Sequence, residues 1–223
     1  MEFQLQIKMN PKLYLRDPEQ SQLGRNILKH SIRIIHKIGF EDFTFKKLAV
    51  EIGTTEASIY RYFENKHKLL TYLIAWLWTS MEYQLLYHTN NLKSPKEKVM
   101  VVIRLLTLQL ADQFSFSHID RSQLYQIAIT ESSKSYLTKH VTQDNKDRFF
   151  KPYKDLCGRI AAIFTEYNPS YKYPRSLSST LLEMAHYQLF FKKNLPSLTD
   201  FGQDKDDEGV IDFLQHLVFT SLK

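Results

Sequence analysis

The chain has 223 residues, enough for one large domain or two small ones. Its 43% hydrophobic and 13% aromatic content supplies a packed core, and 6 Gly and 7 Pro are too few for a sandwich or barrel with many tight turns, so an all-α fold is expected. A net charge of +6 is compatible with nucleic acid as a partner, while the single cysteine, Cys157, excludes an intrachain disulfide and fits a reducing compartment.

In chain order, residues 3–9 alternate, with Phe3, Leu5, Ile7 and Met9 on one side. Period two reads as a strand whose partner comes from another copy or a loop, or as a flexible arm. The N-terminus carries no long apolar stretch of the signal-peptide kind, and the longest apolar-rich run, Leu69 to Trp78, is too short to cross a bilayer. A cytoplasmic protein without membrane contact is expected. Asp17-Pro18 reads as a cap with Pro at the first helical position, opening a helix through Leu23, Ile27, Ile34 and Ile38 that stops at Gly39. Thr44 caps a second helix with Phe45, Leu48, Ala49 and Ile52 inward, and Gly53 ends it. Thr55 caps a third, and Asn65 caps a long fourth running to about Tyr87.

The rest of the chain keeps helical spacing. Ser94-Pro95 opens a helix reaching Leu110, and a shorter one covers about Ile119 to Thr130. A long one, with a break near residue 144, carries Phe149 through Tyr167 and stops at Asn168-Pro169. Another follows Pro174. A polar loop spans 194–208, and a last helix runs from about Val210 to Leu222. The expected architecture is an N-terminal arm (1–17), a three-helix helix-turn-helix domain (18–64) and a larger C-terminal helical bundle (65–223), about nine helices in all.

Residues 40–70 carry the most specific signal. Two short helical patterns flank a turn at Gly53, and a third helix follows, which is the spacing of a helix-turn-helix. From Arg25 to Leu70, nine Lys and Arg face five Asp and Glu, so most of the excess charge lies in a fifth of the chain. Lys46 and Lys47 stand in the first turn of the second helix, and Lys66 and Lys68 in the first turn of the fourth. Cations there oppose the helix dipole at about 0.3–1 kcal/mol each. The placement makes sense if an anion arrives, because free N–H groups plus lysines form a phosphate site. Thr54, Thr55, Ala57 and Ser58 are small enough to let the third helix approach base edges, while Tyr60, Arg61 and Tyr62 offer phosphate-reaching groups. Ile59 and Phe63 read as core.

These residues resemble the DNA-binding domain of TetR-type transcriptional regulators. The match runs through Arg25, Ile27 and Leu28 to Gly39-Phe40, then Thr44, Leu48-Ala49, Ile52-Gly53, the run Ser58 to Phe63, and Lys66 with Leu69-Leu70. The resemblance implies a homodimer on a pseudo-palindromic operator, acting as a repressor, with a small-molecule effector in the C-terminal domain. By the same resemblance Thr44, Tyr60 and Lys66 match phosphate-contacting positions, and Thr55, Glu56, Ala57 and Ser58 match the start of the recognition helix. Thr54 replaces a usual valine. Glu56 stands where a lysine is frequent and could instead accept from a cytosine amino group.

Other constellations carry less. Glu64-x-x-His67 and Glu183-x-x-His186 are the pairs from which a di-iron bundle enzyme is built, but lysines flank the first. A helical interaction module without DNA binding is the third reading. Ser117-His118-Ile119-Asp120 sets triad types side by side without triad geometry. No Gly-rich phosphate loop or zinc spacing occurs, so neither a cofactor nor a metal nor an enzymatic activity is expected. Cys157 reads as inert core, and His186 as a core or pocket residue. Tyr83, Phe114, Tyr125, Phe150 and Tyr153 are the pocket candidates. Leu181, Ala185 and Leu189, with Leu214, Leu217 and Val218 on the last helix, are the dimer-interface candidates, because a C-terminal helix apolar nearly all round needs cover on more than one side.

Overall fold

The computed structural model of the chain describes residues 7–110 and 118–223, and every regular element among them is helical. Eleven α-helices follow in order: α1 (Gln22–Asp42), α2 (Phe45–Ile52), α3 (Glu56–Tyr60), α4 (Lys66–Thr89), α5 (Pro95–Leu106), α6 (Arg121–Glu131), α7 (Ser133–Tyr136), α8 (Val141–Lys146), α9 (Lys151–Tyr167), α10 (Pro174–Asn194) and α11 (Glu208–Ser221). Three 3-10 turns, Pro11–Leu13, Pro18–Gln20 and Pro196–Leu198, join them. The expected break near residue 144 falls between α8 and α9, and the count exceeds the expected nine because the short helices α7 and α8 stand as separate elements. Leu137 leaves the helical region at ψ 60°, and Arg148 takes φ 62°, which sets α7 and α8 apart from α9.

The N-terminal boundary also differs from expectation. Asp17 does cap a helical turn, but that turn is the 3-10 turn Pro18–Gln20, and Ser21 caps α1 by accepting from Gly24 N–H at 3.0 Å. Gly24 is required there: a Cβ at that position would stand 2.2 Å from the carbonyl oxygen of Pro18. Residues 7–10 form no strand. Ile7 and Met9 are nonetheless buried with Lys8 exposed between them, so the alternation marks a packed, irregular segment.

Gly39 lies at φ 79°, ψ 163°, and breaks the helical path near the end of α1. That region is open to glycine almost alone, and any other residue there costs about 1–3 kcal/mol. Space is not the obstacle, since a Cβ would meet only Glu131 Oε1 at 3.8 Å. Gly39→Ala should therefore lower the thermal midpoint by several degrees. A calorimetric scan showing no change would mean that the backbone relaxes freely at this position.

Contacts divide the chain into two units. The first comprises Met1–Thr79 and Phe114–Pro152, and the second Ser80–Gln113 and Tyr153–Lys223. In the first unit α1 packs on α2 and α6, with Ile27, Leu28, Ile32, Leu48, Ile59 and Phe63 in its core. In the second unit α11 packs on α10 and α5, around Val102, Leu106, Leu181, Ala185, Leu214 and Val218. No helix among the described residues is long and apolar enough to cross a membrane.

Candidate nucleic-acid interface

The turn unit is built from caps. Thr44 Oγ1 accepts from Lys47 N–H at 3.2 Å and starts α2. Gly53, at φ 67° and ψ 40°, ends it in the left-handed region, and its N–H turns back to Ala49 and Val50. Thr55 Oγ1 then accepts from Ser58 N–H at 3.3 Å and starts α3. Glycine removes the steric penalty of the left-handed residue, and the two hydroxyls each satisfy a free N–H at a helix start. Ile59 and Phe63 are fully buried as expected and lock α3 to the core.

What remains outward is the set nominated for DNA. Thr55, Glu56, Ala57, Tyr60 and Arg61 are exposed, and Thr54 and Ser58 are half-buried. The Thr55 and Ser58 hydroxyls lie 3.0 Å apart, so each holds the other in place. Tyr60 is braced by an edge contact with Phe45, the ring centroids 5.0 Å apart. Glu56 stands in the first turn of α3, where its charge suits the helix dipole, and it has no partner among the described residues.

The lysines divide. Lys46 is exposed and has no partner among the described residues. Lys47 is exposed but donates through Nζ to Asp42 O at 2.7 Å. Lys66 differs from its expected role as a phosphate contact. Its Nζ donates to Phe40 O, Glu41 O and Phe43 O at 3.0, 2.9 and 3.2 Å, which uses all three of its N–H groups. The ammonium thus covers carbonyls left over where α1 ends, the end at which a helix favours a cation. Lys68 Nζ lies 3.9 Å from the centroid of Phe149. Tyr62 is also corrected: it is buried, and its hydroxyl pairs with Ser21 Oγ at 2.7 Å, so it does not reach outward.

The frame behind the unit is a charged cluster at the α1 break. Glu131 of α6 is buried, accepts from Phe40 N–H at 3.3 Å and pairs with Lys134 at 2.8 Å. Lys134 also pairs with Glu41 at 2.8 Å. The two carboxylates raise the lysine's pKa, and Lys134 lowers that of Glu41. Sequence reading missed this cluster, since Phe40 and Glu131 are 91 positions apart.

The pocket candidates fall in both units. Tyr125 and Phe150 belong to the first unit and Tyr83 and Tyr153 to the second, while Phe114 lies outside the described residues. Tyr153 donates to Glu183 Oε1 at 2.9 Å. Glu64-x-x-His67 and Glu183-x-x-His186 fall in different units, and no three His, Cys, Asp or Glu side chains among the described residues form a group fit for a metal. Cys157 is half-buried, with burial raising its thiol pKa. Leu181, Ala185, Leu214 and Val218 are buried within the protomer, so the dimer face expected of them is turned inward; Leu189 and Leu217 are only half-buried.

Residues 27–73 match the sequence model of the bacterial regulatory proteins of the tetR family. Similar solved structures include AibR in complex with isovaleryl coenzyme A and operator DNA, at 18% identity and a TM-score of 0.58 over 87% of this chain and 98% of that one. The fatty acid degradation regulator FadR from Bacillus halodurans aligns at 15% identity and a TM-score of 0.61, covering 89% and 98%. PfmR, a TetR family transcriptional regulator from Thermus thermophilus, aligns at 13% identity and a TM-score of 0.61, covering 88% and 98%. A search of curated protein sequences gives no match.

Proposed function

Because this chain belongs to the TetR family of bacterial transcriptional regulators, we infer that it binds a pseudo-palindromic DNA operator as a homodimer and represses until a small molecule binds its C-terminal part. The family is one of regulators, and the chain is not an enzyme. The observation that carries the DNA reading is the outward start of α3: Thr54 to Ser58 are small or exposed, follow the left-handed Gly53, and stand in one unit with the exposed cations Lys46 and Arg61. Small side chains admit base edges, and the cations position the backbone. In this reading Thr55, Glu56, Ala57 and Ser58, with Thr54, approach the major groove. Thr44, Lys46, Lys47, Tyr60 and Arg61 lie along phosphates. Lys66 supports the frame.

The homodimer uses the sides of α10 and α11 that the protomer leaves uncovered. On α10 these are Met184, Tyr187, Gln188 and Phe191, one helical stripe in which Tyr187 and Phe191 stack with centroids 6.0 Å apart. On α11 they are Phe213, His216, Leu217 and Thr220. On a pseudo-palindromic operator the two recognition helices of such a dimer would lie about 34–36 Å apart, one turn of DNA. AibR was solved with isovaleryl coenzyme A, which makes acyl thioesters the first effector class to screen against this chain.

Selection from random duplexes tests the reading. Enrichment of an inverted repeat, with sedimentation at twice the 26.5 kDa chain mass, is the expected result. A monomer that enriches no sequence would overturn it.

A further inference from the structure

The segment ahead of α1 lies against the end of the turn unit. Leu15 N–H donates to Tyr62 O at 2.8 Å, joining it to the residue that follows Arg61. Asn10 Nδ2 donates to Asp147 O at 2.7 Å, and Ile7, Met9 and Leu13 are buried. The segment is therefore held in one place. Its exposed residues are Lys8, Pro11, Lys12, Leu15 and Arg16; the charged ones are all basic, with no Asp or Glu between residues 7 and 16. Lys12 pairs with Asp147 at 2.5 Å. Arg16 makes no ion pair among the described residues, and its guanidinium stands 5.4 Å from the centroid of the Tyr62 ring.

Arg16 thus occupies the outward position that Tyr62 does not. The Tyr62 ring is 2% exposed and its hydroxyl is bonded to Ser21. Over that ring, facing water and fixed by the Leu15–Tyr62 bond beside the exposed Arg61, is a cation. We propose that Arg16 is a DNA phosphate contact, so that the segment before α1 is a second backbone-binding element beside the helix-turn-helix. The inference rests on the DNA-binding reading above. The chemistry suits a phosphodiester: a guanidinium held over a ring is partly oriented before it binds, is weakly hydrated, and offers paired N–H donors to two phosphate oxygens. A lysine stem in the same place would supply the charge without the orientation.

The test measures binding of the full chain to a random-sequence duplex and to its selected operator across 50–200 mM salt. Each phosphate contact contributes about 0.9 to the slope of log affinity against log salt. Arg16→Ala should lower that slope by about 0.9 and weaken both duplexes by the same factor. Arg16→Met, which keeps the stem over Tyr62 without the charge, should do the same. Arg16→Lys should hold the slope near that of the unaltered protein. Slopes unchanged in Arg16→Ala and Arg16→Met would overturn the proposal, including the case where affinity falls only because Tyr62 packs less well. If the unaltered protein itself shows no salt-dependent binding, the DNA-binding reading fails first and this inference with it.

Discussion

Replacing Ser58 with leucine should abolish specific operator binding while leaving the fold intact. Ser58 is half-buried in the first turn of α3, where Thr55, Glu56 and Ala57 around it are exposed. Leucine is at least as good a helix former, the cap at Thr55 keeps the backbone N–H of residue 58, and the change gives up only the exposed hydroxyl contact between Thr55 and Ser58. Stability should therefore hardly change. At the DNA, a branched apolar side chain would stand where a base edge must approach, leaving polar base atoms without partners. Affinity for the selected operator should drop to the level of random DNA, a loss on the order of 10³-fold or more. Lys46 and Arg61 remain, so binding to random duplexes should persist with its salt slope unaltered. Fluorescence anisotropy on both duplexes measures this. Operator affinity retained within a few-fold would remove α3 as the reading element.

The parts of this fold that were legible in the sequence are those set by local chemistry. Thr44, Thr55 and Asn65 were readable as caps because a side-chain oxygen needs only an N–H two or three residues on, and each makes that bond. Gly39 and Gly53 were readable as stops, and both have positive φ. Ile59, on the inward side of α3, and Phe63, in the turn after it, were readable as core from their apolar spacing, and both are buried.

What was not legible depends on partners far along the chain. Lysines at a helix start looked like an anion site, yet Lys66 serves carbonyls of residues 40, 41 and 43, which only the packing of α4 beside the end of α1 brings within reach. Tyr62 looked outward until the segment before α1 covered it. In α10 and α11 apolar spacing could not tell which side meets the protomer's own core. The strictly apolar stripe of Leu181 and Ala185 turned inward, and the mixed stripe of Tyr187 and Phe191 was left out. A stripe of aromatics with a polar edge is the more natural surface for a partner, since it tolerates water before association.

Acid should destabilise this protein through His186. The ring is 2% exposed on α10, and burial alone pulls its pKa from 6.5 down to about 4. Above pH 6.5 the imidazole is neutral in both the folded and unfolded chain, and its titration has no effect on stability. As the pH falls from 6.5 towards 4, the unfolded chain takes up a proton that the folded chain refuses, so stability is lost across that window and the loss levels off below it. A depression of this size corresponds to about 3 kcal/mol in full. Urea unfolding at fixed protein concentration, so that any self-association contributes equally, should show the unaltered chain weakening by about 2–3 kcal/mol between pH 7 and pH 4.5 relative to a His186→Leu variant. Carboxylates elsewhere titrate in both proteins and cancel in the difference. Equal losses in the two proteins would mean that the fold takes up the His186 proton without cost.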